Sequence, residues 1–142
     1  MTSNLLKRLV VFDGNHLAHR AYHKFANLKT IDGKKTSIIY GMVYIIESLV
    51  RRLGPDDVIV TFDGGRSSYR LGILPTYKDR DKKLGFDYED FSSQRDVGKQ
   101  IIKHLGIRVA QKKGYEADDI ISMITREYSG LGWEVIIVFW VS

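Results

Sequence analysis

Two short apolar runs in this sequence end alike. Leu9-Val10-Val11-Phe12 stops at Asp13-Gly14, and Val58-Ile59-Val60-Thr61-Phe62 stops at Asp63-Gly64-Gly65. A third acidic group, Glu116-Ala117-Asp118-Asp119, opens an apolar helical pattern. Hard cations such as Mg²⁺ or Mn²⁺ take carboxylate oxygens and water, usually through a few carboxylates together with substrate phosphates. If Asp13, Asp63, Glu116, Asp118 and Asp119 converge, they make a metal site suited to phosphate chemistry. Each group also has a simpler explanation. An Asp-Gly pair after a strand is commonly a turn whose aspartate bonds local backbone, and acids in a first helical turn stabilise the macrodipole. The joint pattern is what favours a metal: like charges about 4 Å apart cost on the order of 4 kcal/mol at an effective dielectric of ~20, so a gathered acid set persists poorly without a cation. There is no cysteine. That excludes a disulfide framework, a thiolate zinc site, an iron–sulfur cluster and cysteine nucleophile chemistry.

The strand run ending at Asp63 leads into a basic stretch. Arg66, Arg70, Lys78, Arg80, Lys82 and Lys83 face only two acids, Asp79 and Asp81, and Tyr69, Tyr77 and Pro75 are interleaved. Bases stack on aromatic rings while lysine and arginine neutralise phosphates, so this is the composition of a segment that grips a nucleic-acid strand. A charge run is also the ordinary make-up of a solvated face; its position directly after Asp63 favours substrate binding. The chain as a whole carries 22 Lys plus Arg against 17 Asp plus Glu, net +5, which favours an anionic partner. His16, His19 and His23 share one helical face at i, i+3 and i+7. With no partner ligand at zinc-like spacing, they read as a solvated or nucleic-acid-facing stripe. Gly33-Lys34-Lys35-Thr36 is not a phosphate-binding loop, because Leu28 occupies the position where such a loop needs its first glycine.

The elements that must position these residues alternate. The 142 residues suit one domain spanning 1–142, with 44% hydrophobic and 27% charged residues as in a globular protein. Strands are expected at 9–12, 58–62, 107–110 and 135–141. Helices are expected from Asn15, as a cap, to Phe25; from Thr36 or Ser37 to Leu53, apolar nearly all round and so buried; from Ser92 or Ser93 to Leu105; and from near Glu116 to Tyr128. Residues 26–35 read as a loop, and 65–90 as a long excursion. Strand–helix alternation implies a parallel sheet with helices on both faces, and ligands bind beyond the carboxyl ends of such strands. That is where Asp13 and Asp63 fall. The N-terminus shows no targeting signal and the apolar stretch 38–50 is too short for a membrane span, so the expected setting is cytoplasmic, with no membrane partner.

These motifs together resemble the 5′ nucleases that include phage flap endonucleases and the 5′-to-3′ exonuclease domain of bacterial DNA polymerase I. The resemblance is carried by Val11-Phe12-Asp13-Gly14, the helix start at Thr36-Ser37 to Gly41, Phe62-Asp63, Tyr69-Arg70 and Leu74-Pro75-Thr76-Tyr77-Lys78-Asp79-Arg80, and Gly114-Tyr115-Glu116-Ala117-Asp118-Asp119-Ile120. It implies a PIN-like α/β fold with a basic arch-like excursion and metal-dependent hydrolysis of phosphodiesters near the 5′ ends of DNA, or of RNA in RNA–DNA hybrids. By position, Asp13, Asp63, Glu116, Asp118 and Asp119 resemble metal ligands, Lys78 resembles the arch lysine at the scissile phosphate, and Arg70, Tyr77 and Arg80 resemble substrate contacts. After the strand at Val135–Val138, where the family has a Ser-x-Asp-x-Asp segment for a second metal, this sequence reads Phe139-Trp140-Val141-Ser142, and beyond Asp119 its acids are Glu127 and Glu134. Cleavage is therefore expected to be weak unless a complementary C-terminal polypeptide supplies the missing half. The alternatives are a flap- or single-strand-binding module that does not cut, and a small PIN-type ribonuclease.

Overall fold

The computed structural model describes residues 6–65 and 87–140. In chain order the elements are β1 (Arg8–Asp13), α1 (Gly14–Lys24), α2 (Ser37–Leu53), β2 (Asp57–Thr61), α3 (Tyr88–His104), β3 (Arg108–Ala110), α4 (Ala117–Gly130) and β4 (Glu134–Val138). The four strands form one parallel sheet in the order β3-β2-β1-β4. From β1 the chain steps outward through β2 to β3, then returns to the other side of β1 as β4.

This topology explains the unbroken apolar runs. A central parallel strand is covered on both faces and cannot alternate, and Leu9, Val10, Val11 and Phe12 are all fully buried. Val10, Phe12, Val60 and Phe62 pack under α1, α2 and α3, with Leu17, Ala21, Ile38, Met42, Phe91 and Ile102. Leu9, Val11 and Ile59 face the other way, toward Ile121 of α4. Helices cover both faces, as the alternation implies. Burying each such side chain fully contributes about 1.5–3 kcal/mol, which dominates the fold's stability.

Several local expectations change. The cap of α1 is Asp13, not Asn15: Asp13 has extended backbone, and its carboxylate accepts from the N–H groups of Asn15 and His16. Helix α3 opens at Asp87, whose side chain accepts from the Asp90 N–H at 2.9 Å, so Ser92 and Ser93 lie inside it. Glu89 and Asp90 in the first turn complement the dipole there. Helix α2 is not buried all round, since Tyr40 and Tyr44 are 50% and 47% exposed. The connection before it is a small hairpin with Lys29 paired antiparallel to Lys35, and Asp32-Gly33 form its turn. Strand β4 is shorter than expected, ending at Val138. The candidate nucleic-acid-binding residues Arg66, Arg70, Tyr77, Lys78, Arg80, Lys82 and Lys83 lie outside the described residues. Among the described residues, no helix is long and apolar enough to cross a membrane.

Candidate metal centre

The register of the sheet sets the site. Asp13 pairs with Thr61, so Asp13 and Asp63 stand at the same carboxyl edge, at the ends of neighbouring strands. Two glycines let the backbones close there. A Cβ on Gly14 would lie 2.3 Å from the Thr61 carbonyl oxygen, and one on Gly64 would lie 1.8 Å from the Lys112 carbonyl oxygen. Any side chain at either position would push the strand ends apart. The Gly64 N–H donates to the Tyr115 carbonyl at 2.8 Å, and the Gly114 N–H donates to the Gly64 carbonyl at 3.0 Å. The loop before α4 is thereby strapped to the end of β2.

This strap brings three segments onto Asp63. Its Oδ1 accepts from the Ala117 N–H at the start of α4 at 2.6 Å, and its Oδ2 accepts from Asn15 Nδ2 at 2.6 Å. Gln111 Nε2 donates to the Asp63 carbonyl at 2.6 Å, and Lys99 Nζ donates to Gln111 Oε1 at 2.8 Å. Asp13 uses Oδ1 to cap α1, accepting from the N–H groups of Asn15 at 3.1 Å and His16 at 3.2 Å. Its Oδ2 lies 4.0 Å from His16 Nε2. Asn15 therefore bonds both carboxylates, one through its backbone and one through its amide.

Asp13 is only 4% exposed. Burial raises its pKa above the usual carboxylate range, His16 and its backbone N–H oppose that shift, and the charges of Asp118 and Asp63 reinforce it. The gathered acids thus act on one another across the sheet edge. Glu116 and Asp119 are engaged differently. They form a reciprocal capping box at the start of α4, in which the Glu116 N–H donates to Asp119 Oδ2 at 3.1 Å and the Glu116 side chain accepts from the Asp119 N–H. Glu116 is 2% exposed, whereas Asp118 faces solvent.

The chemistry of the donors fits a divalent cation. Like-signed carboxylates crowd a buried position, and each oxygen keeps lone pairs beyond those it already uses. Asp13, Asp63 and Asp118 could hold the ion, with Glu116 and Asp119 beside it. Among the described residues, no three acidic or histidine side chains close into a finished cage. The histidine stripe divides: His16 faces Asp13, His19 stacks on Phe91 at 4.3 Å between ring centres, and His23 meets Tyr22 edge-on at 5.5 Å.

With that geometry, residues 8–139 match the family model of the 5′-3′ exonuclease, N-terminal resolvase-like domain. The chain belongs to this family. As a 5′-3′ exonuclease N-terminal domain it is 33% identical over 132 residues to DNA polymerase I of Mycobacterium bovis, covering 92% of this chain and 14% of that protein. It is 31% identical over 130 residues to the 5′-3′ exonuclease of Aquifex aeolicus, covering 92% of this chain and 44% of that protein. Among solved structures, it matches bacteriophage T5 D15 flap endonuclease in a pseudo-enzyme–product complex with DNA and metal ions, at a TM-score of 0.73 and 27% identity, over 92% of this chain and 48% of that one. It also matches T5 5′-exonuclease with bound zinc, at a TM-score of 0.75 and 26% identity, over 92% and 48% of the two chains. The chain thus spans less than half the length of each of these relatives.

Two residues at the edge of this domain's acid group were not singled out as site residues from sequence. Asn15 looked like a helix cap and Gln111 carried no signal. An amide two residues after a strand-end aspartate is the one available cue, because an asparagine there can reach a carboxylate on the neighbouring strand.

Proposed function

We propose that this chain is the metal-binding half of a 5′-3′ exonuclease and flap endonuclease, hydrolysing phosphodiester bonds near the 5′ ends of DNA or of RNA in RNA–DNA hybrids. The observation that carries this is the meeting of Asp13 and Asp63 on Asn15, with Asp118 close enough to raise the Asp13 pKa. A bound Mg²⁺ or Mn²⁺ would supply Lewis acidity and a water acidic enough to attack near neutral pH. Asp13, Asp63 and Asp118 would hold the ion. Asn15 and the Ala117 N–H fix the angle of the Asp63 carboxylate, and the Glu116–Asp119 box fixes the first turn of α4. Lys78 contributes positive charge at the scissile phosphate, while Arg66, Arg70, Tyr77, Arg80, Lys82 and Lys83 grip the strand. The water oxygen bonds to phosphorus as one P–O bond breaks, and the leaving sugar oxygen takes up a proton.

Support for the DNA partner comes from the similarity to a T5 flap endonuclease solved with DNA and metal ions. A polypeptide carrying the Ser-x-Asp-x-Asp acids that the family resemblance implies is proposed as the complement that completes a second metal site. The same proposal places the reaction in the cytoplasm, where replicating DNA of phage and bacteria is processed. The test is cleavage of a 5′-flap DNA and of an RNA–DNA hybrid in Mg²⁺ or Mn²⁺, with and without the complement. Turnover that Asp63→Asn abolishes is expected. Tight binding that needs no metal, with no turnover under any of these conditions, would make the chain a binding module instead.

A further inference from the structure

At the end of α1 and in the first two turns of α2 lies an aromatic group that the hydrolytic mechanism does not use. Tyr40 and Tyr44 are one turn apart on α2, their rings nearly parallel at 16° with centres 5.8 Å apart. Phe25, at the end of α1, meets both edge-on at 5.3 and 5.8 Å, and Lys24 Nζ stands 5.8 Å from the Phe25 ring centre. The Phe25 contacts hold the two tyrosines in place, yet each tyrosine stays about half exposed. Half-exposed, mutually stacked rings present π-faces in fixed orientation.

The charge beside them is one-sided. The hairpin joining α1 to α2 sets Lys29 opposite Lys35, with Lys34 next in sequence. Its ends are tied by Thr36 N–H to Leu28 carbonyl at 3.1 Å, and the Tyr40 N–H donates to the Thr36 carbonyl at 2.9 Å. Tyr40 is therefore one helical turn from Thr36, which directly follows Lys34-Lys35. Two lysines facing each other across a strand pair repel. Asp90 answers Lys35 at 3.9 Å, and Asp32 is the acid within the hairpin; Lys24, Lys29 and Lys34 leave the patch cationic. Aromatic faces flanked by lysines are what unpaired nucleobases and their phosphates require.

We propose that Tyr40 and Tyr44, with Lys24, Lys29 and Lys34, form a second nucleic-acid contact that stacks unpaired bases of a single strand without needing metal. The choice of nucleic acid as partner rests on the proposed function; the contact itself is independent of cleavage. It is tested by fluorescence anisotropy of a labelled oligothymidylate of about 12 nucleotides in EDTA, using the intact chain. Tyr40→Leu/Tyr44→Leu is expected to weaken binding about 30-fold, and Tyr40→Phe/Tyr44→Phe to stay within about threefold of the parent, since phenyl rings still stack. An abasic strand with the same number of phosphates should bind the parent chain more weakly than the thymidylate does, and should bind the parent and the leucine variant alike. Equal binding by a folded leucine variant, or equal affinity for abasic and normal strands, overturns the proposal. So does sedimentation showing that the tyrosines instead pair two copies of this chain. Should the leucine variant not fold, photocrosslinking of a bromodeoxyuridine strand to the unmutated chain decides: adducts on Tyr40 or Tyr44 support the contact, and adducts confined to other segments refute it. A chain that binds through these tyrosines yet cleaves nothing would end the proposed function and leave this contact standing.

Discussion

The two edges of the sheet treat charge in opposite ways. At the amino edge opposite signs are paired: Arg8 Nε donates to Glu134 at 2.6 Å, the Arg8 N–H donates to Asp56 at 2.7 Å, and Arg108 reaches Asp57 at 2.7 Å and the Tyr128 hydroxyl. At the carboxyl edge Asp13 is nearly inaccessible to water, and its burial, reinforced by the like charges of Asp118 and Asp63, raises its pKa. One edge is complete as it stands. The other gathers like charges around a buried carboxylate, with Asp63 held by hydrogen bonds from Asn15 and Ala117, and the proposed divalent cation would relieve that repulsion.

The largest expected effect lies at the crowded edge. Asp63→Asn keeps the shape and removes a charge that an ion needs, so metal-dependent flap cleavage should fall by about 10³-fold or more. Single-turnover rates at saturating Mn²⁺ measure this. Asn15→Ala leaves the acids in place but frees their orientation; loss of such an outer partner typically costs 10–100-fold. A metal titration of the Asn15→Ala rate should show a raised half-saturating concentration, and an unchanged one would show that Asn15 positions nothing.

Thermal unfolding separates the edges next. An ion that binds only the folded acids stabilises by mass action, about 2.7 kcal/mol at 100 times its dissociation constant. Mg²⁺ or Mn²⁺ should therefore raise Tm in the parent chain and leave Asp13→Asn unmoved. In EDTA the order reverses. Because burial and neighbouring acids raise the Asp13 pKa in the folded state, ionising Asp13 costs stability at neutral pH, and the cost disappears as pH falls through the raised value toward the ordinary one. Asparagine still caps a helix, so Asp13→Asn should melt higher than the parent at pH 7. That gap should close in acid. A variant that melts lower at pH 7 would mean the acids are not strained.

The smallest effect belongs to the paired edge. Glu134→Gln breaks an ion pair whose side chains are 39% and 43% exposed, and such pairs contribute at most about 1 kcal/mol. Urea unfolding should show little change, and cleavage none.

How much of this was legible in the sequence follows from which interactions are local. Apolar runs ending in Asp13 and Asp63 disclosed buried parallel strands, because covering both faces leaves no alternation, and the strand–helix alternation disclosed the sheet. Tertiary contacts set the remainder. Asn15 looked like a cap because Asp13 sits too near a strand for sequence to show that it serves both roles. Tyr40 and Tyr44 looked buried because aromatic residues in an apolar helix usually are, and only the packing of Phe25 shows which side they take. The start of α3 was misplaced because Asp87, Ser92 and Ser93 are all good caps, and only packing of Phe91 selects among them.

Every strand pair in the sheet is parallel, so none can form as a tight hairpin; each must wait for a long crossover to return. The acids at positions 13, 63 and 118 therefore come together only after most of the chain has been organised. A cation present at that moment is expected to speed the last step of refolding as well as to stabilise its product, making the arrival of metal part of how the molecule matures.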